Sequence, residues 1–209
     1  MVEFLSSAGQ SLASKSVQTE LVELTVNELE YTVFETAFGH IGIVYRTTDA
    51  SAKAVHILLP RSKRETQSII KSLFPQALSS DGDGVSELRK RIRNFFLGDP
   101  NPIPLSLADT SICKPFQLSV LKEEHAVPRG KTSSYGRIAN HLKSRAVRAV
   151  GSALARNPFP IVVPCHRAVR SDRTLGGYQG GLEMKRQILS MEGVEFDSRG
   201  RVLPECFLG

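Results

Sequence analysis

Three prolines within five residues divide this chain into two parts that are patterned differently. They lie in Asp99-Pro100-Asn101-Pro102-Ile103-Pro104, and repeated prolines prevent regular secondary structure because each one fixes φ and lacks a backbone donor. We therefore expect two domains with a linker between them. The expected segments are a loosely ordered leader at 1–28, an α/β domain at 29–100, a linker at 101–114, a mainly helical domain at 115–200 and a C-terminal tail at 201–209.

The first part shows strand patterns followed by helix patterns. Runs rich in β-branched and aromatic residues predict three strands, and apolar residues at helical spacing predict two helices, Ser62–Phe74 and Ser86–Leu97. The predicted strands are Tyr31–Phe38, Ile41–Arg46 and Ala54–Leu59, which ends at Pro60. The residues expected to face the core are Ile69, Ile70, Leu73 and Phe74 in the first helix and Leu88, Ile92, Phe95 and Phe96 in the second. Strands followed by helices favour a small α/β domain.

The second part predicts a helix-turn-helix. Helical spacing indicates helices at Pro115–Ala126, Ser134–Leu142 and Ser144–Arg156, and only a short turn separates the last two. The third helix is expected to bury Val147, Val150 and Leu154 and to carry on its opposite face Arg145, Arg148, Ser152 and Arg156. An arginine stripe of this kind suits a helix that binds nucleic acid. An ordinary solvated surface helix is the alternative.

Charge and cysteine content limit the classes of function. The formal net charge is +6 and the pI about 9.4, a balance that attracts polyanions such as nucleic acid, although a basic solvated surface would look the same. No apolar stretch is long enough for a membrane helix, and the N-terminus has no secretory pattern. The three cysteines are Cys113, Cys165 and Cys206; they form no paired or metal-ligand spacing. We expect a cytoplasmic protein without disulfides or metal.

The run Pro164-Cys165-His166-Arg167 is the strongest candidate for a reactive site. It follows Ile161–Val163, predicted as a short buried strand, so that Cys165 would lie at the strand exit. A thiol reacts as thiolate, so His166 could act as its base and Arg167 could add positive field. Glu192, after a predicted helix at Leu182–Met191, could orient the imidazole. Taken singly, a cysteine after an apolar run is more often a buried structural thiol.

Several ordered motifs resemble those of one protein family. They are Ser134-Tyr135-Gly136, Arg148-Ala149-Val150-Gly151, Asn157-Pro158, Pro164-Cys165-His166-Arg167, Gly176-Gly177-Tyr178-Gln179-Gly180-Gly181 and Met191-Glu192-Gly193. Together they resemble the signature of the 6-O-alkylguanine-DNA alkyltransferases, also called methylated-DNA–protein-cysteine methyltransferases. The similarity spans Pro115 to about Val194, whereas the first hundred residues match only in general organisation.

The resemblance implies a fold and an activity. It implies an α/β N-terminal domain shaped like ribonuclease H and a mainly α C-terminal winged helix-turn-helix domain. The activity would be DNA repair, in which an alkyl group moves irreversibly and once from the 6-O position of guanine in duplex DNA to Cys165. Thymine alkylated at the 4-O position would be a weaker substrate. The protein would be a monomer in the cytoplasm, associated with the nucleoid (or nuclear in a eukaryote), that binds double-stranded DNA and needs no cofactor.

The resemblance also implies residue roles. Cys165 would accept the alkyl group, His166 would act as base through a water, Glu192 would hold the imidazole, and Tyr135 would donate a proton or hydrogen bond to the departing guanine. Arg148 would replace the extruded base, and Asn157 would tie the recognition helix to the site. The remaining DNA contacts would be Arg145, Ser152 and Arg167. The walls of the alkylguanine pocket would be Pro160, Tyr178, Gln179 and Gly180.

Two departures from the family and three rival functions remain. Some relatives bind zinc in the first domain, but no cysteine precedes Cys113, and the turn at Lys143-Ser144 lacks the usual Gly or Pro. A module that only recognises the lesion would replace the acceptor cysteine, typically with tryptophan, and this chain has no tryptophan. A redox-sensing regulator would need a dimer interface. A cysteine hydrolase would leave the arginine stripe without a role.

Overall fold

The computed structural model describes residues 29–48 and 51–209. The leader predicted at 1–28 lies outside the described residues. None of the described helices is both long and apolar enough to cross a membrane.

A four-stranded mixed sheet forms the centre of the first part. The strands are β1 (Leu29–Thr36), β2 (Gly39–Thr47), β3 (Ala52–Arg61) and β4 (Leu78–Ser79), in the order β3-β2-β1-β4. β2 pairs antiparallel with both β1 and β3, and β4 pairs parallel with β1. The three predicted strands are therefore present.

The strand ends differ from the prediction for local reasons. β1 stops at Thr36 and not at Phe38, because the Thr36 hydroxyl donates to the Gly39 carbonyl at 2.7 Å and closes a turn that contains Phe38. β3 continues through Pro60 to Arg61. Pro60 is tolerated because the pairing register with β2 is irregular there and a proline at a bulge removes no ladder hydrogen bond.

Two helices complete the first part, one before and one after β4. α1 (Lys63–Leu73) begins with a capping box between Ser62 and Glu65, and α2 spans Ser86–Phe96. In α1 only Thr66 and Ile70 are buried, and the prediction that Leu73 faces the core is wrong, because it is 56% exposed. In α2 the predicted burial of Leu88, Ile92, Phe95 and Phe96 is confirmed.

The second part consists mainly of helices. They are α3 (Pro115–His125), α4 (Tyr135–His141), α5 (Val147–Ala155) and α6 (Gly181–Met191). Two short strands, β5 (Ser133–Ser134) and β6 (Ala168–Val169), pair in parallel. The predicted tail packs beside this pair, because Thr132 exchanges backbone hydrogen bonds with Cys206 and Leu208.

Helix α5 starts three residues later than predicted. Lys143 adopts a left-handed conformation (φ 52°) and Ser144 N–H donates to the Ala139 carbonyl, so the turn after α4 takes up residues assigned to the helix. Val147 consequently lies in the first turn and is 43% exposed, so its predicted burial is wrong. The predicted burial of Val150 and Leu154 is confirmed.

One apolar cluster joins the two parts. It includes Ile57 of β3, Ile92 of α2, Val120 of α3 and Phe159, all of them buried. Backbone hydrogen bonds also cover the outer edge of β3, from Ile57 N–H to the Pro158 carbonyl at 2.8 Å and from Asp109 N–H to the Ala54 carbonyl at 2.7 Å. The segment that precedes Cys165 is therefore anchored to the sheet.

Truncation of two apolar residues in α1, one buried and one exposed, should have different effects on the free energy of unfolding. Ile70→Ala should lower the free energy of unfolding by about 2–5 kcal/mol, because Ile70 is fully buried against the sheet. Leu73→Ala, in the same helix, should change it by less than about 0.5 kcal/mol. Urea denaturation of both variants measures the difference, and equal losses would contradict the placement of Leu73.

Candidate active site

The segment before Cys165 is a compact turn, and the prediction of a strand at Ile161–Val163 is wrong. Ile161 has a left-handed φ of 75°, and Val163 N–H donates to the Phe159 carbonyl at 2.8 Å. Pro160 and Val163 lie side by side as an isolated bridge. A left-handed conformation is strained for a β-branched residue, so the surrounding contacts must impose it.

Asn157 imposes this turn. Its side-chain amide donates to the Val163 carbonyl at 3.1 Å and its side-chain oxygen accepts from Phe159 N–H at 2.9 Å. Asn157 is 1% exposed, and its own N–H donates to Leu154 at the end of α5. One side chain thus connects helix α5 to the turn that carries the cysteine.

Cys165 is the first residue of a 3-10 turn, Cys165–Arg167, at the bottom of a cavity. The thiol is almost completely buried, and burial raises its pKa to about 11, so it is protonated at neutral pH. The cavity has a volume of about 400 Å³ and is large enough for a flat heterocycle. Its lining residues are Tyr135, Gly151, Leu154, Ala155, Cys165, Gly177, Tyr178 and Gln179.

His166, Arg167 and Glu192 form a buried ionic group beside the cysteine. His166 Nε2 lies 3.1 Å from Glu192 Oε1, and the Arg167 guanidinium donates two hydrogen bonds to the same carboxylate, at 2.7 and 2.9 Å. Burial would raise the pKa of Glu192, but its contacts with His166 and Arg167 outweigh burial and lower the pKa to about 2. Burial lowers the pKa of His166, so the imidazole is neutral and Arg167 is the cation that neutralises Glu192.

The tautomer of His166 follows from this contact. A carboxylate can only accept, so the hydrogen bond to Glu192 requires the proton on Nε2. Nδ1 then carries the free lone pair. It is buried and has no hydrogen-bond partner among the described residues. Nδ1 can therefore accept a proton, directly or through a water.

The walls of the cavity come from α4, from α5 and from the loop before α6. A side chain at Gly176, which has φ 65°, would begin 3.1 Å from the Tyr135 hydroxyl, so the glycine allows the loop to approach Tyr135 closely. Burial raises the pKa of Tyr135, which therefore remains a phenol that can donate. Gln179 donates to the Ala155 carbonyl of α5 at 2.6 Å and joins the loop to the helix.

Three residues predicted for the pocket or the DNA surface lie elsewhere. Pro160 is buried and Gly180 packs against Met184 and Tyr178, and neither lines the cavity. Arg167 points inward, because Glu192 and the Val127 carbonyl take its donors and its side chain is 11% exposed. Three of the five guanidinium donors are thus engaged inside the protein, and the low exposure of the side chain leaves little of it to reach a phosphate.

The arginine stripe is exposed on α5. Arg148, Ser152 and Arg156 are exposed, and Arg145 is exposed just before the helix begins. Gly151 lies on the same helix and lines the cavity. The exposed basic face and the entrance to the cysteine are thus adjacent.

The sequence interpretation missed two buried charged residues, Glu124 of α3 and Lys185 of α6. Both are 0% exposed. Helical spacing could have found them, because Glu124 follows Val120 by four residues and Lys185 precedes Ile188 by three, and these neighbours are buried.

Comparison with known proteins gives a consistent result. Residues 115–194 match the family model described as 6-O-methylguanine DNA methyltransferase, DNA binding domain. The methylated-DNA–protein-cysteine methyltransferase of Methanothermobacter thermautotrophicus is 40% identical over 121 residues, which cover 58% of this chain and 68% of that protein. The protein of the same name from Saccharolobus solfataricus is 37% identical over 119 residues, 56% of this chain and 75% of that protein.

Solved structures extend the likeness to the first part of the chain. The O6-methylguanine-DNA methyltransferase of Pyrococcus kodakaraensis superposes with a TM-score of 0.60 at 26% identity, over 78% of this chain and 99% of that one. The Mycobacterium tuberculosis protein solved in complex with DNA gives 0.61 at 25% identity, over 78% and 92%. Both alignments are longer than the second part alone, so the mixed sheet and its helices belong to the shared fold.

The charge of Glu192 should make stability depend on pH in the acid range. Its pKa is lowered from 4.5 to about 2, so the stabilisation is present above pH 4.5 and is lost as the pH falls towards 2. This group alone should contribute up to about 3 kcal/mol of that loss. Glu192→Gln should be less stable at pH 6, and its disadvantage should shrink towards pH 2.

Chemical denaturation at each pH measures this effect. Glu183→Gln, which changes an exposed carboxyl of α6, the helix that Glu192 caps, is the matched control and should follow the parent protein. A constant difference between the parent and Glu192→Gln across the acid range would contradict the assignment.

Proposed function

This chain belongs to the 6-O-methylguanine-DNA methyltransferases, the methylated-DNA–protein-cysteine methyltransferases, and on that premise we propose that Cys165 removes alkyl groups from guanine in double-stranded DNA. The observation that carries the proposal is a buried thiol at the bottom of a cavity, beside an imidazole whose free nitrogen can accept its proton. The finer division of the chain is part of the proposal. Residues 29–100 would form a ribonuclease H-like domain and residues 115–200 a winged helix-turn-helix domain, with a linker at 101–114 and a tail at 201–209.

The chemical step is a displacement at the alkyl carbon. The Cys165 sulfur forms a bond to that carbon as the bond from carbon to the guanine 6-O breaks, and the electron pair stays with guanine. The thiol proton passes through a water to Nδ1 of His166, while Glu192 holds Nε2–H at 3.1 Å. Tyr135, kept as a phenol by burial, donates a proton or hydrogen bond to the departing guanine.

The raised pKa of Cys165 fits a nucleophile that is activated only within the complex. A thiol with a pKa of about 11 is almost entirely protonated at neutral pH and reacts little with stray electrophiles. Binding of the alkylated guanine beside the thiol would bring the alkyl carbon and its leaving group next to Cys165, within reach of the proton path to His166. The same burial protects the thiol when no lesion is present.

We propose that each molecule acts once. Attack by sulfur on a saturated carbon gives a thioether, which needs a strong nucleophile to cleave it. Among the described residues that line the cavity, no side chain besides Cys165 is a nucleophile of that kind. The activity would extend more weakly to 4-O-alkylthymine, in a cytoplasmic monomer that uses no cofactor.

DNA would be bound by the exposed face of α5. Arg145, Arg148, Ser152 and Arg156 are exposed there, and cations of this kind hold phosphates without reading sequence. The cavity can hold one base, so the damaged base must leave the duplex at a cost of a few kcal/mol. Arg148 would occupy the space that the extruded base leaves.

Intact mass after incubation with a duplex that contains one 6-O-methylguanine tests the covalent step. We expect a gain of about 14 Da, one methyl in place of a hydrogen, that saturates at one group per molecule on Cys165. Cys165→Ser should show no gain. Cys113→Ser and Cys206→Ser, which change thiols remote from the cavity lining, should behave like the parent, and repeated turnover would contradict the single-use mechanism.

Arg148→Ala should separate base extrusion from chemistry. Its transfer rate on duplex substrate should fall at least about tenfold, because the cost of unstacking is no longer offset. Transfer from a single-stranded oligonucleotide, in which the base is already unpaired, should change much less. Quenched-flow measurement of both rates tests this, and equal losses on the two substrates would contradict the role of Arg148.

A further inference from the structure

One wall of the cavity is built differently from the other two. Gly177, Tyr178 and Gln179 form this loop wall, and they belong to no helix or strand. The other walls are α4 and α5, two helices whose buried residues, among them Ile138 and Val150, belong to the shared apolar core. A loop moves more easily than a helix that is packed on a core. The loop wall therefore decides how far the cavity can widen.

Hydrogen bonds hold the loop wall at two places. At its base, the buried Lys185 ammonium donates to the Gly177 carbonyl at 3.3 Å and also to the Leu175 carbonyl. At its tip, the side-chain amide of Gln179 donates to the Ala155 carbonyl at 2.6 Å. Among the described residues, this is the one hydrogen bond that joins the loop wall to the α5 wall.

The bond at the tip combines a good acceptor with an exposed position. Ala155 is the last residue of α5, and the final carbonyls of a helix have no partner within it. The negative end of the helix dipole strengthens such an acceptor. Gln179 and Ala155 are both exposed, so water can replace the bond, whereas the bonds of Lys185 are buried. The tip can therefore come free while the base of the loop stays in place.

Glycines on both sides of the tip allow its backbone to change direction. A side chain at Gly177 would meet no atom within 4 Å, and Gly181 has a left-handed φ of 85°. Both positions can take up a change in φ and ψ at little steric cost. The wall at Tyr178 and Gln179 lies between these two glycines, so it can move away from α5 once the bond to Ala155 opens.

The size of the alkyl group decides whether this movement is needed. The alkyl carbon must reach the sulfur of Cys165 at the bottom of the cavity, and the guanine is the same for every adduct. All atoms beyond that carbon must therefore fit between Cys165 and the walls, in a cavity of about 400 Å³. A bulky group needs more space than a methyl group, and the loop wall is the wall that can provide it.

We propose that Gln179 is a specificity-determining residue, whose hydrogen bond to Ala155 holds the cavity closed to bulky groups, so that Cys165 reacts readily with small alkyl groups and slowly with groups such as benzyl. The inference rests on the proposed function in taking alkylated guanine as the substrate of this cavity. An exposed glutamine that only satisfies a helix carbonyl is the simpler alternative, and it predicts no dependence on the size of the group.

Two reagents of the same chemistry and different size test the closure of the cavity without DNA. With iodoacetamide and with N-benzyliodoacetamide, sulfur bonds to the methylene carbon, iodide leaves, and the thiol proton goes to solvent. The full chain carries Cys113→Ser and Cys206→Ser, which leaves Cys165 as its one thiol, and intact mass follows each reaction. Each rate is divided by the rate of the same reagent with glutathione. The ratio of the bulky to the small reagent then reports size alone, because the reactivity of the sulfur cancels.

Gln179→Met keeps the length of the side chain and removes the donor. It should raise the ratio of the bulky to the small reagent at least about fivefold, the factor that corresponds to about 1 kcal/mol. The matched control is Gln187→Met in α6, which changes another exposed glutamine with one hydrogen bond, to Glu183 at 3.0 Å. The control should leave the ratio within about twofold of the parent.

The ratio and the melting temperature together decide the outcome. An unchanged ratio in Gln179→Met would overturn the proposal, even if both rates changed. The variant should melt like the parent, because the lost bond is exposed. A ratio that rises only with a melting temperature several degrees lower would also overturn the proposal, since general loosening of the fold would then explain the access to Cys165.

Two duplexes that differ only in 6-O-methylguanine or 6-O-benzylguanine extend the test to the substrate. Gln179→Met should raise the rate of benzyl transfer relative to methyl transfer, in the same direction as with the two reagents. If the reagent ratio rises but neither duplex loses its alkyl group to the parent, the proposed function fails and the closure of the cavity by Gln179 stands. If methyl transfer occurs and the benzyl-to-methyl ratio is unchanged, the function stands and the role of Gln179 in specificity is overturned.

Discussion

The side chain of Asn157 holds the turn on which the position of Cys165 depends. Its amide and carbonyl bind the backbone at both sides of a reversal that contains a left-handed isoleucine. Without these two hydrogen bonds an extended chain would suit the β-branched residues better, and the cysteine would lie at a strand end. Asn157 lies two residues after the end of α5 and its N–H donates to the Leu154 carbonyl, so this one residue joins the helix to the turn that carries Cys165.

The site combines a low-dielectric environment with a nearly balanced set of charges. Glu192 is held by Arg167 and by a neutral His166, and Lys185 is held by backbone carbonyls. Burial penalises every one of these charges, and each is tolerated because hydrogen bonds compensate it. Glu124 is the exception, since its oxygens have no partner among the described residues. In this environment a single added or removed charge changes the ionisation of the thiol more than it could in water.

Sequence patterns predicted most of the secondary structure correctly. They failed at positions where contacts with residues elsewhere in the fold set the local conformation. The four inward residues of α2 follow helical spacing and are buried. The apolar run at Ile161–Val163 predicted a strand. The pattern of apolar residues does not show that the side chain of Asn157 binds the backbone of this segment and holds it in a turn. Val147 was placed in the core because the sequence gives no sign that α5 starts late. The left-handed residue that delays its start is Lys143, whereas a glycine at that position would have indicated a turn. The resemblance placed Arg167 at the DNA, and the sequence alone did not show that Glu192, 25 residues further along the chain, binds its guanidinium.

By itself the sequence determined the family and indicated the candidate reactive residues, because Pro164-Cys165-His166-Arg167 and the ordered motifs around it can be recognised without coordinates. Only the tertiary structure decided the tautomer and the ionisation state of those residues. It placed Glu192 against His166, made Nδ1 the free nitrogen, and brought Glu124 and Lys185, 61 positions apart in the sequence, behind the same thiol. The physical reason is that ionisation depends on distance through space and on removal from water, and neither is encoded in the spacing of residues along the chain.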